Sequence, residues 1–409
     1  MDPGHWAAVA NRVALLHEAG DFGQAIAGYH DLLEKKPDDS SLLNNLGAAL
    51  VTLGLSEGVP YLERAIEMSG PGEAKAALVN LGTFYAEEGD MAKALEAYRR
   101  VYFEDKSQVQ MLVRAAILLP PIMGSSEDIM SVRNSFDAGL DRLMRLPAHL
   151  RFPTNPVRAI ERIHFYLVYH GFNDRMLQEK VVRMYHKFCP DLLFVAPHLR
   201  NAATADFSNE EEGPGGTSGG RIRVGFLSKY FSEHEPHGLL LEGPVRLLPR
   251  DRFEVALLVP GAGGLTPPAP ALAAAADRVV PLTHSFPEAR LAIANEHLDV
   301  LVYADMMSEP LTHFLGHARL AAVQCLFWGN PTTSGQTDSI DYFISADQLE
   351  HPNRTWASQD DEPYSEQVVL LGGRGIWYPR PPPVAEAAQE EARPLAAELG
   401  LPPGAFVYL

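Results

Sequence analysis

The stretch FWGNPTTSG, Phe327 to Gly335, runs directly into QTDSIDYFIS. An apolar run enters it and another leaves it, so it reads as a loop between two strands. Gly329 and Gly335 let a ligand approach the backbone closely, and Thr332, Thr333 and Ser334 supply hydroxyl donors and acceptors for something polar. A sugar suits such a lip. A plain strand-to-strand turn is the alternative reading of the same residues.

Two further groups have chemistry in reach. SEHEPHG carries His234 and His237; an imidazole titrates near neutrality and can orient a hydroxyl or relay its proton. Asp305 closes the run DVLVYAD. A carboxylate at a strand's carboxyl end faces the ligand crevice of an open α/β sheet, though it can equally cap the helix that follows. His234 with His237, and His313 with His317 in THFLGH, offer two metal ligands each. A metal site takes three or four, and no cysteine or carboxylate is placed to complete either pair, so no metal is expected. The chain has neither GxGxxG nor GxxxxGK[ST], hence no phosphate cradle of its own in this region.

These groups need a scaffold, and the texture after Gly220 supplies one. IRVGFL, FEVALLV, DVLVYAD, AVQCLF, DYFIS and QVVLL are short apolar runs, with helical patterns such as LEGPVRLL and EARLAIANEHL between some of them. That alternation predicts a doubly wound, mostly parallel α/β sheet covered on both faces. Upstream, Ala19-Gly20-Asp21-Phe22, with Ala25 and Tyr29, recurs 69 positions later as Glu88-Gly89-Asp90-Met91, with Ala94 and Tyr98. Leu46-Gly47 and Leu81-Gly82 fall between at a step of 35. This is the tetratricopeptide period, about 34 residues, so 1–106 reads as about three such repeats. The middle copy is irregular, with Pro60 where a helix should already run. Residues 107–208 read as a helical connector, and 209–220, NEEEGPGGTSGG, as a flexible linker. The tail from Pro379 then gives a Pro-rich crossing, an Ala/Glu-rich helix and one more strand start, with Leu409 inside that expected strand.

Composition sets outer limits. At 409 residues two or three domains are expected, and a formal charge of −18 without a basic cluster argues against nucleic acid as the main partner. Cys189 and Cys325, both in apolar surroundings, fit a reducing compartment. No signal peptide or long apolar run stands out, so no membrane partner is expected and the location is cytoplasmic, nuclear or both.

Taken together, the repeats, IRVGFLSKYFSEHEPHG, DVLVYAD, QCLFWGNPTTSGQTDSIDYFIS and YSEQVVLL resemble the protein O-GlcNAc transferase and SPINDLY family over nearly the whole chain. The connector sequences RAAILLPPIMGSSEDIMSVRNSFDAGLDRL and FYLVYHGFNDRMLQEK are similar to its SPINDLY-like bacterial and algal branch. The resemblance implies an α plus α/β protein: a tetratricopeptide solenoid, then over 221–385 the Rossmann-like first lobe of a two-lobed, GT-B type glycosyltransferase, with 386–409 only beginning a second lobe whose remainder is missing. The implied reaction is metal-independent transfer of a sugar, GlcNAc first and fucose second, from UDP-GlcNAc or GDP-fucose to Ser or Thr of intracellular proteins. The repeats would present the protein or peptide substrate, or pair with a second copy. Trp328, Gly329 and Asn330 would face the sugar, and Pro331, Thr332, Thr333, Ser334 and Gly335 would form the supporting turn. His234 falls at the family's histidine near the reacting sugar, and His170 at a connector histidine that packs. Tyr230 stands where animal enzymes carry Asp, and Gly238 where they carry a second His. Ser365 and Glu366 read as architecture. The lysine and the His-Thr-Thr loop that grip the diphosphate in the family would lie beyond Leu409, so the chain is expected to be an inactive fragment. An adaptor with a vestigial lobe is the alternative.

Overall fold

The computed structural model describes residues 3–70, 72–152, 155–202, 220–232, 235–261, 267–327, 333–350, 362–375 and 377–378. The chain opens with three antiparallel helix pairs: α1 (Pro3–Glu18) with α2 (Phe22–Leu33), α3 (Ser40–Thr52) with α4 (Gly58–Met68), and α5 (Lys75–Glu87) with α6 (Met91–Glu104). The recurring Gly-Asp punctuates the turns. Gly20 and Gly89 take the left-handed conformation that ends a helix, and Asp21 and Asp90 cap the next one by accepting from the amides of Gln24 and Lys93. Small residues sit where partner helices cross: a Cβ on Gly47 would lie 2.6 Å from the Leu62 side chain, and one on Gly82 2.6 Å from the Tyr98 ring. Pro60 breaks nothing, because α4 begins only at Gly58 and the proline falls in its first turn, where no amide donor is needed.

The connector comprises α7 (Val109–Ala116), α8 (Ser126–Met144), α9 (Pro156–Ile160), a 3-10 turn over Phe165–His170, α10 (Arg175–Phe188), a further 3-10 turn over Pro190–Leu192, and α11 (Pro197–Ala202). Its apolar side chains do not form a separate core. Val113, Phe136, Leu140, Tyr185 and Phe188 belong to one continuous cluster with Phe286, Leu301, Tyr303, Phe314 and Phe343 of the lobe. The backbone joins as well: Arg319 and Ala196 exchange amide bonds with Phe194 and Arg319 across the seam.

The lobe is a seven-stranded sheet in which every pairing is parallel, ordered β3-β2-β1-β4-β5-β6-β7. The strands are β1 (Ile222–Leu227), β2 (Phe253–Pro260), β3 (Arg278–Leu282), β4 (Val300–Tyr303), β5 (Val323–Phe327), β6 (Tyr342–Ala346) and β7 (Gln367–Leu371). Four helices join them: α12 (Pro236–Leu247), α13 (Pro270–Ala275), α14 (Phe286–Asn295) and α15 (Pro310–Leu315). Alternate residues serve opposite faces. Leu227, Leu258, Leu301 and Leu326 point into the connector side, while Val224, Val255, Val302 and Cys325 meet α12 and α13. The six apolar runs after Gly220 all form strands, while the strand expected at Leu409 lies outside the described residues; β3 is additional, an edge strand that tolerates Pro281 because its outer side pairs with nothing in the sheet. Both cysteines are buried and free. Among the described residues no helix is long and apolar enough to cross a membrane.

Within the connector Arg133 donates to Asp174 at 2.6 Å, with both side chains buried, and to the carbonyl of Asn173. Removing one member strands the other charge away from water. Asp174→Ala should therefore lower stability by about 3 kcal/mol, measured as a shift in the urea midpoint at unchanged slope; a shift indistinguishable from zero would show that the pair is not desolvated.

Candidate functional site

In this strand order the chain leaves β1 outward through β2 and β3, then returns to its other side with β4. The switch point lies between the carboxyl ends of β1 and β4, where an open parallel sheet opens a crevice. Ser228, Lys229 and Tyr230 follow β1 there, and Asp305 lies just past β4.

Asp305 is 0% exposed. Its Oδ2 accepts from the Lys229 amide at 2.8 Å and the Ser228 hydroxyl at 3.2 Å, and Ser228 Oγ in turn accepts from the Tyr230 amide at 3.0 Å. Asp305 thus braces the loop after β1, and Glu309, not Asp305, caps α15. Burial first, and Glu309 as well, push the carboxyl up to about 7 against the opposing pull of those donors. Oδ1 has no hydrogen-bond partner, so a proton held there displaces no existing bond. Next to it the Tyr230 ring stacks on His237, centroids 5.3 Å apart, with the Lys229 ammonium 5.9 Å from the ring centre. Burial lowers His237 below its ordinary 6.5, leaving a neutral imidazole at the start of α12. Tyr230 is raised by burial, then by Asp305, Glu309 and Glu235.

The stretch 328–341 joins two strands that run parallel, so it is a crossover and not a hairpin turn. Trp328, Gly329, Asn330, Pro331 and Thr332 lie outside the described residues, as does His234. Thr333, Ser334 and Gly335 are buried, and their polar groups are turned inward. Glu366, at the entry to β7, is 4% exposed and accepts from Thr333 Oγ1 at 2.6 Å, the Ser334 amide at 2.8 Å and the Ser334 hydroxyl. Ser365 adds bonds to Thr333 Oγ1 and to the Gly335 amide. As placed, these hydroxyls build the loop and hold the chain that leads out of 328–332.

Gly335 fixes the loop's other side. Its φ is +72°, and a Cβ there would lie 2.5 Å from the carbonyl carbon of Gln178 and 2.7 Å from the Glu179 nitrogen, both in α10. The connector therefore abuts the back of the candidate loop. Beside the loop's start, a cleft of about 390 Å³ opens between α12 and the end of β7, lined by Leu240, Leu247, Phe327, Leu371, Arg374 and Trp377. His170 is buried in the connector. His313 and His317 are buried too, and among the described residues no three or more His, Cys, Asp or Glu side chains are arranged to hold a metal ion. Sequence reasoning did not find Ser228, the Gly335 contact with α10, or the acceptor role of Glu366 toward 333–334; only YSEQ had hinted at a fixed element.

The tetratricopeptide repeat family matches residues 54–108. No curated protein matches the chain in sequence. Among solved structures, a variant of Thermobaculum terrenum O-GlcNAc transferase superposes with a TM-score of 0.56 at 18% identity, covering 94% of this chain and 60% of that one. The chain therefore has a helical-repeat plus α/β fold like that enzyme's and spans 60% of its length. MamA protein, at 14% identity and a TM-score of 0.31 over 50% of this chain and 97% of its own, is too slight a likeness to carry an argument.

Two outcomes follow from this geometry. Gly335→Ala puts a side chain into left-handed backbone and into α10, and should destabilise by about 2 kcal/mol or more. Gly372→Ala, where nothing lies within 4 Å of the added carbon, is its control. Equal unfolding midpoints for the two variants would refute the contact. For Asp305 the folded value lies above the unfolded 3.8, so its ionisation weakens the fold progressively as pH rises from there towards 7 and changes nothing further beyond. Asp305→Asn should accordingly gain on the unsubstituted chain across that interval and level off above it. Parallel stability curves would contradict the raised value.

Proposed function

We propose that the chain is the repeat-bearing and first-lobe part of a protein O-glycosyltransferase that moves GlcNAc from UDP-GlcNAc to Ser or Thr hydroxyls. The observation that carries this reading is the switch-point crevice of an all-parallel sheet ordered β3-β2-β1-β4-β5-β6-β7, with the sequence FWGNPTTSG following the carboxyl end of β5 and helical repeats on the same chain. The fold likeness to a bacterial O-GlcNAc transferase supports it.

In this mechanism the acceptor hydroxyl attacks the anomeric carbon, forming the new C–O bond as the bond to the diphosphate oxygen breaks. The hydroxyl proton passes to the His234 imidazole. Trp328 and Asn330 hold the sugar, while Thr333, Ser334 and Gly335 keep their strand of loop in place. Asp305, being fully buried, acts through the loop after β1 and not by touching the sugar. Charge developing on the diphosphate is met by donors from a second wall of the crevice, and no metal is invoked. Fucose from GDP-fucose is the second donor choice.

Repeats of this type generally bind other proteins, and here they would deliver the acceptor. A groove of about 430 Å³ lined by Ile66, Leu78, Leu81, Tyr85, Glu63 and Glu96 favours a second reading, in which the chain serves mainly as a protein-binding adaptor.

Saturation-transfer NMR on the 409-residue chain with UDP-GlcNAc, GDP-fucose and an unrelated disaccharide separates these readings. The transferase reading expects GlcNAc protons to receive saturation, and a titration of that signal should show Asn330→Ala raising the Kd about tenfold, or about 1.4 kcal/mol. No donor-specific signal from either nucleotide sugar would leave the adaptor.

A further inference from the structure

Directly behind the candidate loop, where α10 meets α15, four imidazoles touch one another. Ring centroids lie 5.8 Å apart for His164 and His313, 5.5 Å for His313 and His317, and 5.1 Å for His317 and His186, each pair near perpendicular. His186 Nε2 and His317 Nδ1 are 3.0 Å apart, and His164 Nε2 meets Gln178 Oε1 at 2.5 Å. Tyr185 presents its edge to both His313 and His317. His164, His313 and His317 are no more than 2% exposed.

The cluster is poorly satisfied. His164 Nδ1, His317 Nε2, Gln178 Nε2 and the Tyr185 hydroxyl are buried without a hydrogen-bond partner. Buried polar groups are nearly always paired, and apolar side chains would fill the same seam with less desolvation, so stability alone does not account for them.

Its charge surroundings are equally distinctive. Among the described residues, the carboxylate that favours protonation anywhere in the cluster is Asp338, and it acts on His186. The charges of α10 are turned elsewhere: Arg175 and Arg183 to Glu179, Lys180 to Asp137 and Asp141, and Lys187 to carbonyls at the end of α8. On the lobe side Arg319 is taken by Asp341, and Glu309 caps its own helix. Any proton entering among His164, His313 and His317 therefore meets other imidazoles and no compensating charge.

Residues of this cluster also border residues 333–336 through their backbone. Gln178, bonded to His164, is the residue whose backbone Gly335 abuts, and Gln336 Nε2 donates to the His313 carbonyl at 3.5 Å. We propose that the four histidines form an acid-operated latch: uncharged, they seat α10 against residues 333–336; protonated, they part the seam and free α10 from those residues.

The direction follows from linkage. Burial lowers His164 to about 4 and His313 to about 3, and burial with help from its histidine neighbours holds His317 well below its ordinary 6.5. Folded values below the unfolded 6.5 mean that the closed seam is at full strength above 6.5 and weakens as pH falls through it. Each histidine that charges on opening multiplies the opening constant by up to about ten per pH unit, so three give up to about a thousandfold.

This latch does not rest on the glycosyltransferase reading, and its test reads structure, not turnover. Hydrogen exchange on the full chain at about pH 7.5 and about pH 5, corrected for intrinsic exchange rates, should show amides of α10, α15 and 333–341 losing at least tenfold protection while α3 to α5 keep theirs. Unchanged protection in the seam, or loss in step with the repeats, overturns the proposal. His313→Leu with His317→Leu should flatten the pH response. Should that pair fail to fold, His317→Gln is read in the same way, and a folded variant that keeps the original slope also overturns it.

Discussion

Glu366 is a carboxylate withdrawn from water, and such a group is tolerated only when its oxygens are filled. Thr333 and Ser334 fill them, which dictates the shape of the chain that emerges from the candidate sugar loop. Everything behind that loop then follows. With Thr333 and Ser334 anchored, Gly335 is driven against α10, and only a glycine fits at that approach. The helix α10 is itself fixed through Asp174 to Arg133 and through Lys187 to the end of α8. The rim of the crevice is thus shaped as much by the connector as by the sheet that carries it.

Much of this was legible from residue order. Gly20-Asp21 and Gly89-Asp90 marked the repeats because a left-handed turn followed by an amide-capping carboxylate has few other sequence solutions. Apolar runs marked six strands, since a sheet buried on both faces leaves no polar alternation to confuse them. The edge strand β3 escaped, because RVVPL contains a proline and is mostly exposed. Thr333 and Ser334 looked like ligand groups because their acceptor lies far along the chain, 32 residues on for Ser334. The histidine cluster draws on three separate segments, and nothing local in any of them announces the others.

Two sets of buried groups pull stability in opposite senses. Asp305 is most comfortable protonated, whereas His164, His313 and His317 are comfortable only when neutral. Asp305 sits at the switch point and the histidines at the seam of α10 and α15, so the fold is best balanced close to neutrality. That balance comes from desolvation and not from ion pairs, and added salt will screen it little.

The repeats stand apart from this arrangement. Most of their apolar residues, from Val13 to Phe84, form a cluster of their own, and the last pair meets the connector where Tyr98 and Val101 pack with Met111, whereas the connector's remaining core merges with the lobe's. A stack of helix pairs holds together through neighbours alone. Pairs can be added or lost at the amino end, lengthening or shortening the arm like a ruler, while the crevice and its backing helix are inherited as one indivisible block.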